Sequence, residues 1–244
     1  MNAPSSLVLP FAALLFGAPA LGYAAPTGSD AAGKSTGASG ELTAEKATET
    51  IRGTVDRAVA VLEDPELQGR ENRTARHAKL REISDHVFDW EQMAQRSLGV
   101  HWRGLNPKQR SRFVGTFKEL LANHYLGQMD RFQGEEEVEH VGTEKTDRGF
   151  IVKMKLITPS RSWVPIDFYM GSDDRRVYDV AIEGVSLSNH YRGSFDRMLV
   201  NASFDEMMKK LERKLEVQRR MADQGQDTGD RSGSGATGDG EGDG

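Results

Sequence analysis

Histidine and serine are the residues of this sequence whose types and spacing could do chemistry. The six histidines are His77, His86, His101, His124, His140 and His190. No two of them have the HExxH spacing that places a zinc-binding pair on one helix face. Ser186 and His190 form the one nearby nucleophile and base, so an exported hydrolase would have to depend on them. Because GxSxG, GxxxxGKS/T and helix-opening GxGxxG segments are also missing, we predict a non-enzyme without metal or cofactor.

The final stretch, residues 223–244, is rich in glycine, aspartate, serine and threonine. Its acidic residues against the single Arg231 account for the whole formal net charge of −5, so the preceding chain is neutral. A chain without a basic stripe is a poor match for nucleic acid. Asp239, Glu241 and Asp243 alternate, but they lack the bidentate glutamate and the glycine placement of an EF-hand calcium loop. We interpret residues 223–244 as a disordered, solubilising acidic tail.

The first 24 residues have the pattern of a secretory signal peptide. They carry no charged side chain, contain the apolar run Leu7 to Phe16 and finish in Gly22-Tyr23-Ala24, which fits a small-x-small cleavage site. An uncleaved anchor is the alternative, but about ten apolar residues cannot span ~30 Å of hydrocarbon. The chain has no cysteine, hence no disulfide and no lipid-bearing cysteine. We expect an exported, untethered protein, cleaved near Ala24 and continued by a flexible linker over residues 25–40.

Any site must be positioned by the elements in the middle of the chain, and the most regular of these runs from Trp163 to Leu187. Apolar residues alternate with others from Val164 to Met170, residues 171–174 interrupt the pattern, and alternation resumes from Tyr178 to Ile182. Period-two spacing broken by turn residues predicts a β-hairpin with one buried face.

Two more strands are predicted before this hairpin. The alternation from Phe150 to Ile157 predicts a strand with an apolar inner face, and residues 138–141 predict a short one. Together with the hairpin they form a twisted antiparallel sheet of about four strands. Helical patterns precede and follow the sheet, so the fold class is α+β, and we expect one domain over residues 41–222.

Amphipathic helices flank the predicted sheet. Apolar spacing predicts helices from about Ile51 to Leu62, from about Asn72 to Val87 and from Asp89 to Leu98. Asn106 followed by Pro107 is a strong N-terminal signal for a long helix that carries Tyr125. Ser203 and Glu206 form a capping box that opens the last helix.

Four segments share a pattern with a known family. Residues Val87 to Trp102 contain FD, M, LG and W at matching positions, and Asn106 to Tyr125 repeats the phenylalanines and paired leucines of the following helix. Val164 to Phe168 reads VPIDF against VPVDY, and Tyr178 to Phe195 contains YDVAIEGVSL with YR and F, the most specific segment. Over about residues 45–217 the chain therefore resembles the MlaC family of periplasmic toluene-tolerance or phospholipid-carrier proteins. The acidic tail lies outside the family pattern.

The resemblance implies an MlaC-like α+β domain, NTF2-like in character, whose helices cradle the sheet around a deep apolar cavity. It also implies that the cavity holds the acyl chains of a phospholipid and that the protein is periplasmic. Such carriers shuttle phospholipid between an outer-membrane lipoprotein–porin complex and the substrate-binding protein and permease/ATPase of an inner-membrane ABC transporter, which maintains outer-membrane lipid asymmetry. A carrier of another lipid, such as a hopanoid, and a non-carrier periplasmic adaptor of the same fold stay open as alternatives.

The inward phase of the strands and of the long helix defines the candidate acyl-chain contacts. They are Tyr125, Met129, Phe132, Val152, Met154, Val164, Ile166, Phe168, Tyr178, Val180 and Ile182. A well-packed core would use the same positions, so alternation alone does not separate a cavity from a filled interior. The head group belongs at the mouth, where a cationic side chain can bind phosphate, and Arg192 and Lys153 are the candidates.

Overall fold

The computed structural model of the chain describes residues 42–130, 132, 134–173 and 175–223. The predicted signal peptide, the predicted linker and the predicted tail beyond residue 223 lie outside the described residues. Within the described residues, no helix combines the length and the apolar composition needed to cross a membrane.

Six α-helices and two short 3-10 segments form the helical part of the described chain. The helices are α1 (Ala44–Glu63), α2 (Arg73–Val87), α3 (Trp90–Leu98), α4 (Pro107–Met129), α5 (Leu187–Val200) and α6 (Phe204–Asp223). The 3-10 segments are Pro65–Leu67 and Gly99–Gly104. The five helices that the sequence predicts are confirmed. The sixth, α5, is not predicted by apolar spacing.

The sheet is an antiparallel meander of five strands, in which each strand pairs with the next along the chain. The strands are β1 (Glu137–Thr146), β2 (Gly149–Ile157), β3 (Trp163–Gly171), β4 (Val177–Ile182) and β5 (Val185–Ser186). The predicted α+β class with an antiparallel sheet is confirmed. The extra strand, β5, has only two residues and follows the turn at Glu183 and Gly184, both of which have positive φ.

Strand β1 is longer than its predicted span, residues 138–141. Its partners on β2 explain the difference, because charged side chains rather than apolar ones face each other across the two strands. Glu139 pairs with Lys155 and Glu144 with Lys153, each at 2.6 Å. Paired charges stabilise neighbouring strands but leave no apolar alternation in the sequence.

Helix starts follow the predicted capping signals. The Asn106 side chain accepts from the backbone N–H of Gln109 at 3.0 Å, and the Gln109 side chain accepts from the N–H of Asn106 at 3.0 Å. At α6 the Glu206 carboxylate accepts from the Ser203 N–H at 2.8 Å. Each reciprocal pair satisfies backbone donors that the first helical turn leaves without a partner.

Two hydrophobic clusters hold these elements together. The helical cluster is built by α3, α4, α5 and α6 around Phe113, Phe117 and Phe195. The sheet cluster is built by α1, through Ala47 and Ile51, against apolar side chains of β2, β3 and β4. Tyr125 of α4 packs against both clusters, so it lies where the helical part of the core meets the sheet.

Candidate functional site

The inner face of the sheet is the face that α1 covers. Strand register places Val152 opposite Phe168 and Phe168 opposite Val180. The next row joins Met154, Ile166 and Ile182 in the same way, and Val164 follows on β3 opposite Leu156. Residues directly opposite each other point to the same face of a sheet. The structure therefore brings the following predicted residues onto one face: Val152, Met154, Val164, Ile166, Phe168, Val180 and Ile182.

Burial changes across the inner face. Val152 and Met154 are fully covered, at 0% and 3% exposure. Ile166, Phe168 and Ile182 are only partly buried although they pack against the sheet cluster. Three large apolar side chains left partly open beside a closed core form a surface that an apolar ligand could cover.

Helix α1 is fastened to the sheet by few contacts. Ala47 and Ile51 are its buried side chains, at 0% and 1% exposure. One hydrogen bond joins it to β1, between the hydroxyls of Thr48 and Thr143, which are 2.6 Å apart. The Thr143 hydroxyl also lies 3.0 Å from Nε2 of His140, at the bulge in β1 between His140 and Gly142.

A groove of about 370 Å³ opens between α1 and strands β1 and β2. Its lining includes Arg52, Val55, Asp56, Val138, His140 and Met154. The apolar members Val55, Val138 and Met154 belong to or pack against the sheet cluster, so the bottom of the groove is continuous with the inner face. Its charged members are Arg52 and Asp56, which are exposed on α1, and Glu139, which is exposed on β1.

The C-terminal half of α4 supplies the predicted contacts that lie outside the sheet. Tyr125 is partly buried, and burial is the main reason that its pKa is raised, so its phenol stays neutral at physiological pH. Met129 is 39% exposed, and Phe132, just beyond the helix, is partly buried. Tyr125 and Met129 are one turn apart on α4, whereas Phe132 comes after the end of the helix.

Comparison with known proteins identifies the family. The model of the MlaC protein family matches residues 52–213, which is more than half of the chain.

The chain belongs to the MlaC family.

Among solved structures, the fold is similar to that of a phospholipid-binding protein from Ralstonia solanacearum, solved in complex with a phospholipid. The TM-score is 0.61 at 22% sequence identity, over 71% of this chain and 98% of the other. A comparison with curated proteins gave no match.

The most specific MlaC segment of the sequence forms the N-terminal cap of α5. Asp179 is 3% exposed, and its carboxylate accepts from the N–H of Val180 at 2.9 Å, from the Ser186 hydroxyl at 2.6 Å and from the N–H of Ser188 at 3.1 Å. Ser186 in turn accepts from the N–H of Asn189 at 3.1 Å as the N-cap of α5. The YDV and EGVSL residues therefore fix how α5 leaves the sheet.

The same contacts decide the role of Ser186. A serine nucleophile needs a base that accepts its proton, and the proton of Ser186 is donated to Asp179 rather than to His190. His190 is exposed and lies edge-on to the Tyr191 ring, with 5.4 Å between ring centroids. Among the described residues, no group of histidine, aspartate and glutamate side chains is arranged to hold a metal ion.

Other aromatic residues of the MlaC pattern belong to the helical cluster. Phe113 stacks on Phe117 with centroids 5.7 Å apart, and Phe117 meets Tyr191 edge-on at 5.4 Å. Burial raises the pKa of Tyr191 to about 12, so this phenol is also neutral at physiological pH. The aromatic residues of the family pattern thus hold the helical part of the fold, whereas its VPIDF segment supplies Val164, Ile166 and Phe168 to the inner face.

The predicted inward direction of Tyr178 is wrong. The pairing of β3 with β4 shifts between Tyr169 and Met170, where Met170 pairs with Val177. Such a bulge leaves an extra residue without a cross-strand partner, here Tyr178, and interrupts the alternation of side chains. Tyr178 lies beside Tyr169 of the outer face, with centroids 6.2 Å apart, and under the Arg96 guanidinium at 4.8 Å. Val177, fully buried in the sheet cluster, takes the inward position.

Both predicted head-group residues are placed elsewhere. Lys153 pairs with Glu144 and lies opposite Asp167, on the outer face of the sheet. Arg192 donates from Nε and Nη2 to the backbone carbonyl of Arg96, at 2.9 and 2.7 Å, and so ties α5 to α3. The alternation that points Val152 and Met154 inward necessarily points Lys153 outward.

A charged cluster that the sequence does not reveal anchors the end of α4. Asp130 accepts from Arg73 at 2.6 Å, from Arg76 at 2.6 Å and from His77 at 2.9 Å. Arg76 is 8% exposed and also donates to the carbonyl of Leu67 at 2.6 Å. The partners are more than 50 residues apart, so no local pattern connects them. The cluster fixes the stretch of α4 that carries Met129.

The predicted deep cavity has a smaller counterpart in this conformation. Because α1 covers Val152 and Met154, the space beside the inner face is the groove of about 370 Å³ between α1 and the sheet. A larger depression of about 570 Å³ runs along α1 and shares Arg52 and Asp56 with that groove. Movement of α1 away from the sheet would enlarge the space beside the inner face.

Proposed function

We propose that this MlaC protein is a soluble carrier that holds a phospholipid with its acyl chains against the inner face of the sheet. The observation that carries the proposal is the partly open apolar patch of Ile166, Phe168 and Ile182 beside the closed sheet cluster. Family membership supports it, as does the likeness in fold to a protein solved with a bound phospholipid. Small-molecule sites are typically apolar surfaces of this kind with few polar groups.

Entry of the lipid is proposed to displace α1. Uncovering Ile51 costs about 1.5–3 kcal/mol, and losing the bond between Thr48 and Thr143 costs about 0.5–1.5 kcal/mol. Some thirty methylenes taken out of water contribute ~24 kcal/mol, at ~0.8 kcal/mol each. This gain applies to a lipid taken from water. A lipid that arrives from a membrane instead offsets the cost by covering the apolar surface that α1 leaves.

The free energy of taking the acyl chains out of water also restricts where lipid can be exchanged. Release into water would forfeit the ~24 kcal/mol, whereas the methylenes of a membrane lipid are already out of water. Transfer between the inner face and a membrane is then nearly balanced, and it needs docked partners rather than catalysis. We propose that these partners are an outer-membrane lipoprotein–porin complex and the substrate-binding protein and permease/ATPase of an inner-membrane ABC transporter, with the protein periplasmic between them.

An uptake experiment tests the proposed function. The purified full chain is incubated with vesicles that contain a labelled phospholipid, reisolated, extracted with solvent and measured by mass spectrometry. The proposal predicts one glycerophospholipid bound per chain. If the extract of the native protein contains a polycyclic lipid such as a hopanoid, that lipid is the cargo instead of a phospholipid. A lipid-free preparation that takes up no phospholipid would overturn the carrier proposal and favour a non-carrier adaptor of the same fold.

A further inference from the structure

We infer that the groove between α1 and β1 holds the head group of a zwitterionic phospholipid, with its phosphate at Arg52 and its ammonium group at Asp56. This inference rests on the proposed function, because it concerns the polar end of the same lipid. It replaces Lys153 and Arg192, which face other parts of the molecule.

The position of the groove carries the first step. Val55, Val138 and Met154 line it and belong to or pack against the sheet cluster, so a chain that lies on the inner face meets the groove at these three side chains. A phospholipid whose acyl chains are buried must keep its charged head in water, since an unpaired buried charge is strongly unfavourable. The groove offers a few apolar contacts at its bottom and a mostly polar opening to water.

The charges of the rim carry the second step. The side chains of Arg52 and Asp56 are exposed and, within the part of the chain that the structure describes, make no ion pair or hydrogen bond. Other nearby charges are engaged: Glu139 with Lys155 at 2.6 Å, and Arg57 with the Thr54 hydroxyl at 3.2 Å. Arg52 and Asp56 are therefore the rim groups available to an incoming head group.

The spacing of the two residues carries the third step. Residues four apart on a helix are neighbours one turn from each other, about 5–6 Å between Cβ atoms. A phosphate and an ammonium joined by two carbons present opposite charges over a comparable short span. The guanidinium of Arg52 can bind the phosphate through paired N–H donors, and the Asp56 carboxylate can accept from the ammonium. A glycerol head group offers Arg52 the same phosphate but offers Asp56 no cation.

A competition between head groups tests this inference. The full chain is incubated with vesicles of equal phosphatidylethanolamine and phosphatidylglycerol, and the lipids extracted from the reisolated protein are quantified. Exposed ion pairs are weak, so we expect a preference of about two- to fivefold for phosphatidylethanolamine. Asp56→Asn should bring the ratio to about one, and Arg52→Gln should reduce uptake of both lipids about two- to fivefold at limiting vesicle concentration.

Matched controls lie on the same helix. Arg57→Gln and Glu63→Gln make the same charge changes on exposed residues outside the groove and should leave ratio and uptake unchanged. Soluble glycerophosphoethanolamine should not compete, because it cannot cover Val55 and Met154; full competition would assign the site to a free phosphoester and overturn the inference. Equal uptake of both lipids, unchanged in Asp56→Asn, overturns the head-group site alone. Uptake of neither lipid overturns the proposed function and this inference with it.

Discussion

The hydroxyl oxygens of Thr48 on α1 and Thr143 on β1 lie 2.6 Å apart, at the edge of the inner face of the sheet. Thr48 donates its single proton to the carbonyl of Ala44 at 2.7 Å, so Thr143 must donate to Thr48. Thr143 then accepts from Nε2 of His140, 3.0 Å away. This directed chain fastens α1 over the site and requires a proton on Nε2 of His140.

Thr48→Val should loosen α1. The substitution keeps the shape of the side chain but leaves the Thr143 proton without an acceptor, at a cost of about 1 kcal/mol. We expect amide hydrogen exchange in the first half of α1 to become about fivefold faster, with faster uptake of labelled phospholipid. Thr50→Val is the control, because the Thr50 hydroxyl also donates within the helix, to Lys46 at 2.8 Å, but lies exposed. Identical exchange in the two variants would rule out α1 as the gate.

Ile166→Glu should impair lipid binding. A carboxylate on the inner face would have to be desolvated against the acyl chains, and a cost above about 1.4 kcal/mol lowers affinity more than tenfold. Ile151→Glu is the matched control, since Ile151 is opposite Tyr169 on the outer face of the same sheet. Circular dichroism verifies that both variants fold. Equal uptake by the two variants would contradict an inner-face site.

Much of the fold follows from local signals in the sequence. Asn106 and Ser203 each start a helix where their capping partners predict it, and alternation places Val152 and Ile166 on one face. Helix α5 escapes prediction because Ser186 is both the last residue of β5 and the N-cap, so no turn residues separate strand from helix.

Asp179→Ala should destabilise the protein. The buried carboxylate accepts from two backbone N–H groups and from Ser186, and its removal leaves these donors without an acceptor. We expect a loss of about 3 kcal/mol in the free energy of unfolding, measured by urea denaturation. Asp179→Asn should lose less, because one amide oxygen can still accept from Val180 and Ser188. Asp173→Ala, at an exposed turn, serves as the control, and an equal effect there would refute the capping role.

The Asp130 cluster predicts a dependence of stability on pH. Burial disfavours the ionised carboxylate, but hydrogen bonds from His77 and Arg76 and the charges of His77 and Arg73 outweigh it, so the pKa of Asp130 lies below its ordinary value of 3.8. A depressed folded-state pKa stabilises the protein above the unfolded-state value, and this contribution is lost as pH falls through the folded-state pKa.

Asp130→Asn should therefore lower the free energy of unfolding by about 2–3 kcal/mol at pH 7. The gap between the variant and the unsubstituted protein should narrow as pH drops below about 4, because only the unsubstituted protein loses the contribution of the carboxylate. Urea titrations at pH 7, 5 and 3 measure this. A gap of constant size over that range would show that the carboxylate charge is not what holds the end of α4.

The candidate site is less predictable than the fold, for identifiable reasons. Tyr178 shares the apolar alternation of Val180, but the register shift at Tyr169 turns it outward, and alternation contains no sign of a bulge. The Arg192 guanidinium donates to the backbone carbonyl of Arg96, which lies almost a hundred residues earlier in the chain. Contacts of this range depend on packing, which a local pattern does not record.

Photocrosslinking tests the central claim most directly. A phospholipid with a diazirine at the end of one acyl chain is loaded onto the full chain, activated by light, and its adducts are mapped to single residues by mass spectrometry. Binding against the inner face predicts adducts on Ile166, Phe168 and Ile182 and on the neighbouring Tyr125. Adducts confined to the outer-face residues Ile151 and Tyr169, or no adduct at all on the sheet, would contradict it.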